Sequence, residues 1–213
     1  MKKTLNLVAI ALFGVVVLSL SSCLNGGNGG EEPRFKKITK AEQTVIMSSL
    51  VGKYSGHLKF AKSAKPNEID SVKIDWTITP DTILVIEKFP VRVLTGSVQA
   101  SETFVKQLGA ADAAEVKMKL KLPNYMLEDY YNKGYYLASP IVGQDIDIKI
   151  GQNTGKLAFT NAIQTGTMQH QQVQQLLEYY KEKQVTRLLV KQITFENIPH
   201  EVNAPVYLVG KKD

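Results

Sequence analysis

Val72-Lys73-Ile74-Asp75-Trp76-Thr77-Ile78 alternates apolar and polar side chains without a break. Successive side chains of a strand point to opposite faces, so Val72, Ile74, Trp76 and Ile78 share one face while Lys73, Asp75 and Thr77 share the other. That pattern belongs to an antiparallel strand with one buried and one wet face. Upstream, Tyr54, Leu58 and Phe60 alternate with polar residues, and Gly56 falls in the same inward register. Downstream, Pro80-Asp81 turns the chain into 82–86, an almost continuously apolar run that reads as a central strand. Residues 89–94 read as its continuation after a bend, with Pro90 at an edge or bulge.

The period of two recurs further on. Val116, Met118, Leu120 and Leu122 alternate with Lys117, Lys119 and Lys121, and Pro123 ends the run. Ile146, Ile148 and Ile150 alternate with Asp147 and Lys149. The turn-rich Gly151-Gln152-Asn153-Thr154-Gly155 then leads to Leu157 and Phe159, a hairpin signal. Two last strands are expected at roughly 187–195 and 206–209.

Helical spacing is confined to three places. Thr39-Lys40-Ala41-Glu42 fits a capping box, followed by Val45, Ile46 and Leu50 up to Gly52. Ser101 can cap a short helix holding Phe104, Val105 and Leu108, stopped by Gly109. Val173, Leu176, Leu177 and Tyr180 follow the i, i+3, i+4, i+7 rule, which predicts an amphipathic helix over 169–183. Eight or so mostly consecutive strands with two or three short helices define a strand-rich α+β class, an antiparallel meander sheet or partly open barrel.

The N-terminus has a different logic. Lys2 and Lys3 precede an apolar run from Leu5 to Leu20, a positive n-region and a short h-region, which predicts an export signal over residues 1–22. A bilayer-spanning helix needs about 20 consecutive apolar residues, more than this stretch supplies comfortably. Cys23 follows Leu20-Ser21-Ser22 and is the only cysteine in the chain. Leu20-Ser21-Ser22-Cys23 resembles the lipobox of bacterial lipoproteins, which implies diacylglycerol transfer to Cys23, cleavage before it and acylation of its new amine. Leu24-Asn25-Gly26-Gly27-Asn28-Gly29-Gly30 has little side chain to pack and reads as a flexible tether. The expected organisation is signal 1–22, lipidated cysteine and tether 23–33, and one globular domain over 34–213.

Removal of the signal leaves 191 of 213 residues, enough for one domain with a sizeable core. Lys2 and Lys3 leave with it, so 26 basic residues become 24 against 20 acidic ones, a net charge of +4. The charges are interspersed rather than clustered, which gives nucleic-acid binding no support.

Catalytic signatures are missing. No Gly-x-Ser-x-Gly elbow and no His-Glu-x-x-His pair occurs. Gly151-Gln152-Asn153-Thr154-Gly155-Lys156 is one residue too short between its glycines for a phosphate loop, and Leu157 stands where magnesium would need a hydroxyl. His57, His170 and His200 are too scattered to form a metal-ligand pair, and a single cysteine excludes a thiolate zinc site. The expectation is therefore no catalytic residue, no metal and no cofactor.

Two features rise above that background. Tyr125, Tyr130, Tyr131, Tyr135 and Tyr136 place five of nine tyrosines within twelve residues. Tyrosine joins a flat face to a hydroxyl, which suits stacking on a sugar or a protein partner. The plainer alternative divides them between sheet packing and a coated loop. The ladder Lys117, Lys119 and Lys121 can rest against anionic headgroups, or can simply be a solvated strand face that blunts edge pairing.

Leu50-Val51-Gly52-Lys53-Tyr54 is similar to the Gly-x-Trp opening of lipocalin-like barrels, with Tyr54 in place of the tryptophan. That resemblance implies a barrel whose mouth holds a small apolar ligand. The lipobox, the glycine-rich tether, the helix-then-sheet order and the ending Tyr207-Leu208-Val209-Gly210 together resemble Bacteroidetes lipoproteins of domain-of-unknown-function family 4840, a family that implies no activity. The functional expectation is a non-enzymatic outer-membrane lipoprotein of the cell envelope, with the leaflet left open. It would bind a small apolar molecule or a glycan, or dock another envelope protein as a structural adaptor.

Overall fold

The structure is a computed structural model that describes residues 33–62, 68–164, 172–202 and 205–213. Residues 1–32, on which the expected export signal, lipidated Cys23 and most of the expected tether fall, and His170 lie outside the described residues.

Strand β1 (Phe35–Lys37) leads into helix α1 (Lys40–Leu50). The capping box forms as its sequence dictates. The Thr39 hydroxyl accepts from the Glu42 N–H at 3.3 Å, and the Thr39 N–H donates to the Glu42 carboxylate at 2.9 Å. Lys36 sits 2.7 Å from the same carboxylate. Its hydrogen bond, with those from Thr39, holds the Glu42 carboxyl down at about 2.

Strands β2 (Gly52–Ala61), β3 (Ile69–Ile78) and β4 (Ile83–Phe89) follow as a meander. Helix α2 (Glu102–Gly109) and strand β5 (Ala114–Lys121) come next. Then come β6 (Tyr125–Leu127), helix α3 (Glu128–Asn132) and β7 (Tyr136–Ile141). Strands β8 (Ile146–Ile150) and β9 (Asn153–Phe159) make the hairpin at Gly151. The chain continues through β10 (Ala162–Gln164), β11 (Gln172–Gln174), β12 (Leu176–Tyr180) and β13 (Lys183–Leu188). It ends with β14 (Val190–Phe195), β15 (Ile198–Glu201) and β16 (Val206–Lys212).

Eight strands close into an antiparallel barrel in the order β12-β13-β16-β2-β3-β4-β5-β7. The quoted alternation in β3 decides its inner face, because Trp76 lies opposite Tyr54, and Ile78 meets both Gly52 and Leu84. Tyr54, Leu58, Ile78, Leu84, Ile86, Val116, Met118, Leu177 and Leu208 are inaccessible, so no water-sized space borders them. The lumen is a packed core, as small eight-stranded barrels allow. A second sheet, β15-β14-β9-β8, joins the end opposite α1, and Phe104 of α2 packs 5.5 Å from Phe195.

Closure depends on two glycines. Gly56 faces Gly210 across the β2–β16 ladder. A Cβ on Gly210 would lie 2.3 Å from the Ser55 carbonyl oxygen and 2.5 Å from the Trp76 ring, and one on Gly56 would lie 2.3 Å from the Val209 carbonyl oxygen. Neither position has room for a side chain between the two backbones, and at Gly210 the Trp76 indole fills the space that one would need.

Three expectations are corrected. Residues 169–171 lie outside the described residues; over 172–183 the expected helix is instead β11, β12 and the start of β13, turning at Lys181 (φ 47°) and Glu182 (φ 65°). Leu177 and Tyr179 are buried while Leu176, Glu178 and Tyr180 are less so, a period of two hidden beneath helical spacing. Pairing of β12 with both β7 and β13 decided between them. Residues 89–94 do not continue a strand: pairing stops at Phe89 and Val91–Gly96 coil into a 3-10 helix. Pro90 has no N–H to extend the ladder, and Val91, Val93 and Leu94 are apolar because they pack on the core. The strand over 187–195 is two strands, β13 in the barrel and β14 in the second sheet, broken at Leu189.

Buried Gln175 holds that break. Its carbonyl oxygen accepts from the Leu189 N–H at 3.1 Å, and its amide donates to the Pro140 carbonyl at 3.0 Å. Gln175→Ala leaves a buried N–H without a partner, so a loss of about 2–3 kcal/mol is expected in urea denaturation. Gln175→Glu, which still offers an acceptor, can restore only one of the two bonds.

Candidate functional site

The tyrosine-rich segment lies at the barrel end that carries α1. Its five members divide into three groups. Tyr125 is exposed on β6, opposite Lys37 of β1. Tyr131 and Tyr136 are 6.4 Å apart, and Tyr136 stacks on Tyr179 at 6.3 Å in the inward register of β7 and β12. Tyr130 and Tyr135 are 4.8 Å apart, and Tyr135 lies 6.1 Å from Tyr180 on the outer wall. One sequence cluster therefore serves sheet pairing, the barrel rim and an outer aromatic face.

That outer face holds groups the tyrosine spacing did not single out. The Tyr135 hydroxyl donates to the Glu178 carboxylate. Burial pushes the Glu178 carboxyl up, while the Tyr135 hydrogen bond and the Arg187 charge oppose the shift. The Arg187 guanidinium lies 5.7 Å from the Tyr207 ring, and its Nε is buried with no protein partner. Reading 169–183 as a helix hid this arrangement. On a strand, Glu178 and Tyr180 share the face that also carries Arg187 of β13.

Burial, the largest cause in each case, pushes the phenols of Tyr54, Tyr135 and Tyr179 above the ordinary value of 10.0. A phenol with a raised folded value favours the fold below its unfolded value and loses that contribution as pH rises through the folded one. Ultraviolet titration is therefore expected to find Tyr54, Tyr135 and Tyr179 still protonated past the ordinary phenol range, until alkaline unfolding releases them. A single transition containing all nine tyrosines would contradict the packing.

At the same end an open groove of about 860 Å³ runs between α1 and the strand ends. Met47, Val51, Pro80, Leu120 and Leu122 supply its apolar lining, and Lys40 and Lys121 lie along it. Pockets that hold small ligands have this range of size and this mixture of apolar wall and few polar groups. A second cleft, about 490 Å³, opens where β3 and β4 part after only two paired positions. Lys53, Asp75, Glu87, Lys88 and Asp213 surround it, over Tyr54 and Trp76.

The remaining candidates have ordinary places. Lys117, Lys119 and Lys121 all point outward from β5, and Lys117 pairs with Glu115 at 2.7 Å. His57 is exposed on β2, and the His200 ring stacks on Phe104 at 4.0 Å. Among the described residues no three His, Cys, Asp or Glu side chains converge as a metal site. The Gly151 segment is the β8–β9 hairpin turn, with Gly151 at φ 62°.

These features define a strand-rich α+β protein built on a closed, side-chain-filled antiparallel barrel, with grooves at its rim rather than a hollow lumen. The family described as Domain of unknown function (DUF4840) matches residues 49–195, and the chain belongs to that family. No curated protein and no solved structure matches it.

Proposed function

We propose that this is a membrane-anchored, non-enzymatic lipoprotein of the outer membrane that binds a small, largely apolar molecule in the groove between α1 and the barrel rim. The observation that carries this reading is the groove itself, with Met47, Val51, Leu120 and Leu122 as wall and Lys40 and Lys121 beside it. Those lysines favour a ligand with an anionic end. The filled lumen turns the lipocalin-like expectation away from the barrel interior and toward its rim. Attachment rests on Cys23, and two or three acyl chains, each methylene contributing about 0.8 kcal/mol, hold durably where one does not.

Two experiments test this reading. Cys23→Ala should release the protein from the membrane fraction; continued attachment, with no acyl mass on the wild type, contradicts the anchor. Met47→Glu and Leu122→Glu each put a carboxylate against the apolar wall, and each should weaken binding of a fluorescent fatty-acid probe by roughly tenfold or more. Unchanged affinity in both contradicts the groove.

The outer tyrosine face favours a second reading, recognition of a glycan or an envelope protein. Its support is the grouping of Tyr130, Tyr135 and Tyr180 with Glu178 and Arg187. Tyr180→Ser, which removes an exposed ring, would abolish such binding and leave the fatty-acid probe unaffected.

A further inference from the structure

Strand β1 starts at Phe35, with Arg34 alone between it and the stretch 23–33 read from the sequence as a tether. Strand β1 pairs only with β6, as a two-stranded sheet set beside the barrel end. The register places Phe35 opposite Leu127 and Lys37 opposite Tyr125, so these four share one face. Lys36 and Met126 share the other, and Met126 is 2% exposed in the core. The outer face is wet and yet aromatic: Phe35 is 59% exposed and Tyr125 57%. Elsewhere among the described residues the exposed large apolar residues come one to an element, Val45 on α1, Ile69 on β3, Ile198 on β15, and Tyr180 on β12 beside Tyr135.

Around this face Arg34, Lys36, Lys37 and Lys40 stand near Glu42, Glu128 and Asp129, and Glu31 and Glu32 come just before β1 in the sequence. Arg34, Lys37 and Lys40 are exposed and form no ion pair among the described residues. Lys36 is committed to Glu42, and Glu128 is the acidic group nearest in sequence to β6. Aromatic rings of amphipathic shape settle at the headgroup level of a bilayer, and neighbouring lysines are drawn to anionic lipid.

We propose that the outer face of the β1–β6 sheet is a membrane-contact surface. Phe35 and Tyr125 enter the interface, and Arg34, Lys37 and Lys40 meet anionic headgroups. The choice of a bilayer as the partner rests on the reading of residues 1–22 as an export signal and 23–33 as a lipidated tether. A tether that ends at Pro33 delivers this sheet to the membrane before any other part of the domain. The face then fixes orientation, setting the barrel axis and the α1 groove close to the bilayer. The lysine ladder of β5 has no such role, because it runs up the barrel wall and Lys117 is already paired.

The test uses the mature-length chain, residues 23–213, carrying Cys23→Ser, so that no acyl chain contributes. This chain is expected to float with vesicles containing phosphatidylglycerol and to stay largely unbound with pure phosphatidylcholine. Phe35→Ser with Tyr125→Ser should lower the bound fraction constant by roughly tenfold, and Lys37→Glu should lower it by a similar factor. Both aromatic side chains are exposed, so an unchanged melting temperature is expected and separates lost contact from lost folding. No flotation with anionic vesicles, or equal flotation of the aromatic variant, overturns the proposal. The acyl mass on wild-type Cys23 is read separately, so failure of the anchor and failure of the contact face are distinguishable.

Discussion

Gly210→Ala is expected to cost about 3 kcal/mol or more, among the largest effects of any single methyl in this chain. The added Cβ would sit 2.3 Å from the Ser55 carbonyl oxygen and 2.5 Å from the Trp76 ring, and neither is the end of a flexible side chain. Relief requires β16 to move away from β2, and six register positions bind those strands together. For a domain of this size the melting temperature should fall by roughly 10 °C. Trp76, the sole tryptophan, reports the change directly: its emission should shift to the red as water reaches the displaced indole. Gly109→Ala is the control, because the nearest atom to its new methyl is Thr95 Cγ2 at 3.9 Å. Little change is expected there.

Trp76→Ala is expected to cost about 3–5 kcal/mol, the range for deleting a large buried aromatic. The indole is 2% exposed, stacks on Tyr54 at 5.7 Å with planes 6° apart, and covers Gly210. Its Nε1 has no hydrogen-bond partner. Trp76→Phe should therefore cost far less, under about 1.5 kcal/mol, since it keeps an aromatic face toward Tyr54 and removes the unsatisfied N–H. Urea denaturation followed by circular dichroism measures both. Equal costs for the two variants would mean that the N–H, rather than the ring, matters at this position.

The fold was legible wherever one face of a strand is wet. In β3, β5 and the β8–β9 hairpin, outward lysines and aspartates mark the alternation, so period and register can be read from residue type. The capping box at Thr39 and Glu42 and the cap at Ser101 were equally legible, because each depends on groups three residues apart. Legibility failed where tertiary contact decides. Leu176, Leu177 and Tyr180 fit a helix as well as a strand, and only the partners β7 and β13, distant in sequence, settle the matter. Val91, Val93 and Leu94 are apolar in either conformation. The short β1–β6 pair carries no periodic signal in three residues.

The candidate sites follow the same division. Tyrosine density marked the barrel end that carries α1, where Tyr130, Tyr131, Tyr135 and Tyr136 all lie. It did not reveal Glu178, Arg187 or Tyr207, which come from strands distant in sequence, nor the groove beneath α1. Closure of the barrel is equally a long-range property, made by pairings such as β16 with β2 and β12 with β7.

Native mass spectrometry of the protein isolated from the cells that make it tests the central claim most directly. A chain beginning at Cys23, heavier by its acyl groups and carrying a noncovalent apolar ligand that Met47→Glu abolishes, is the result this account predicts. A bare polypeptide, or a ligand retained by Met47→Glu, would contradict it.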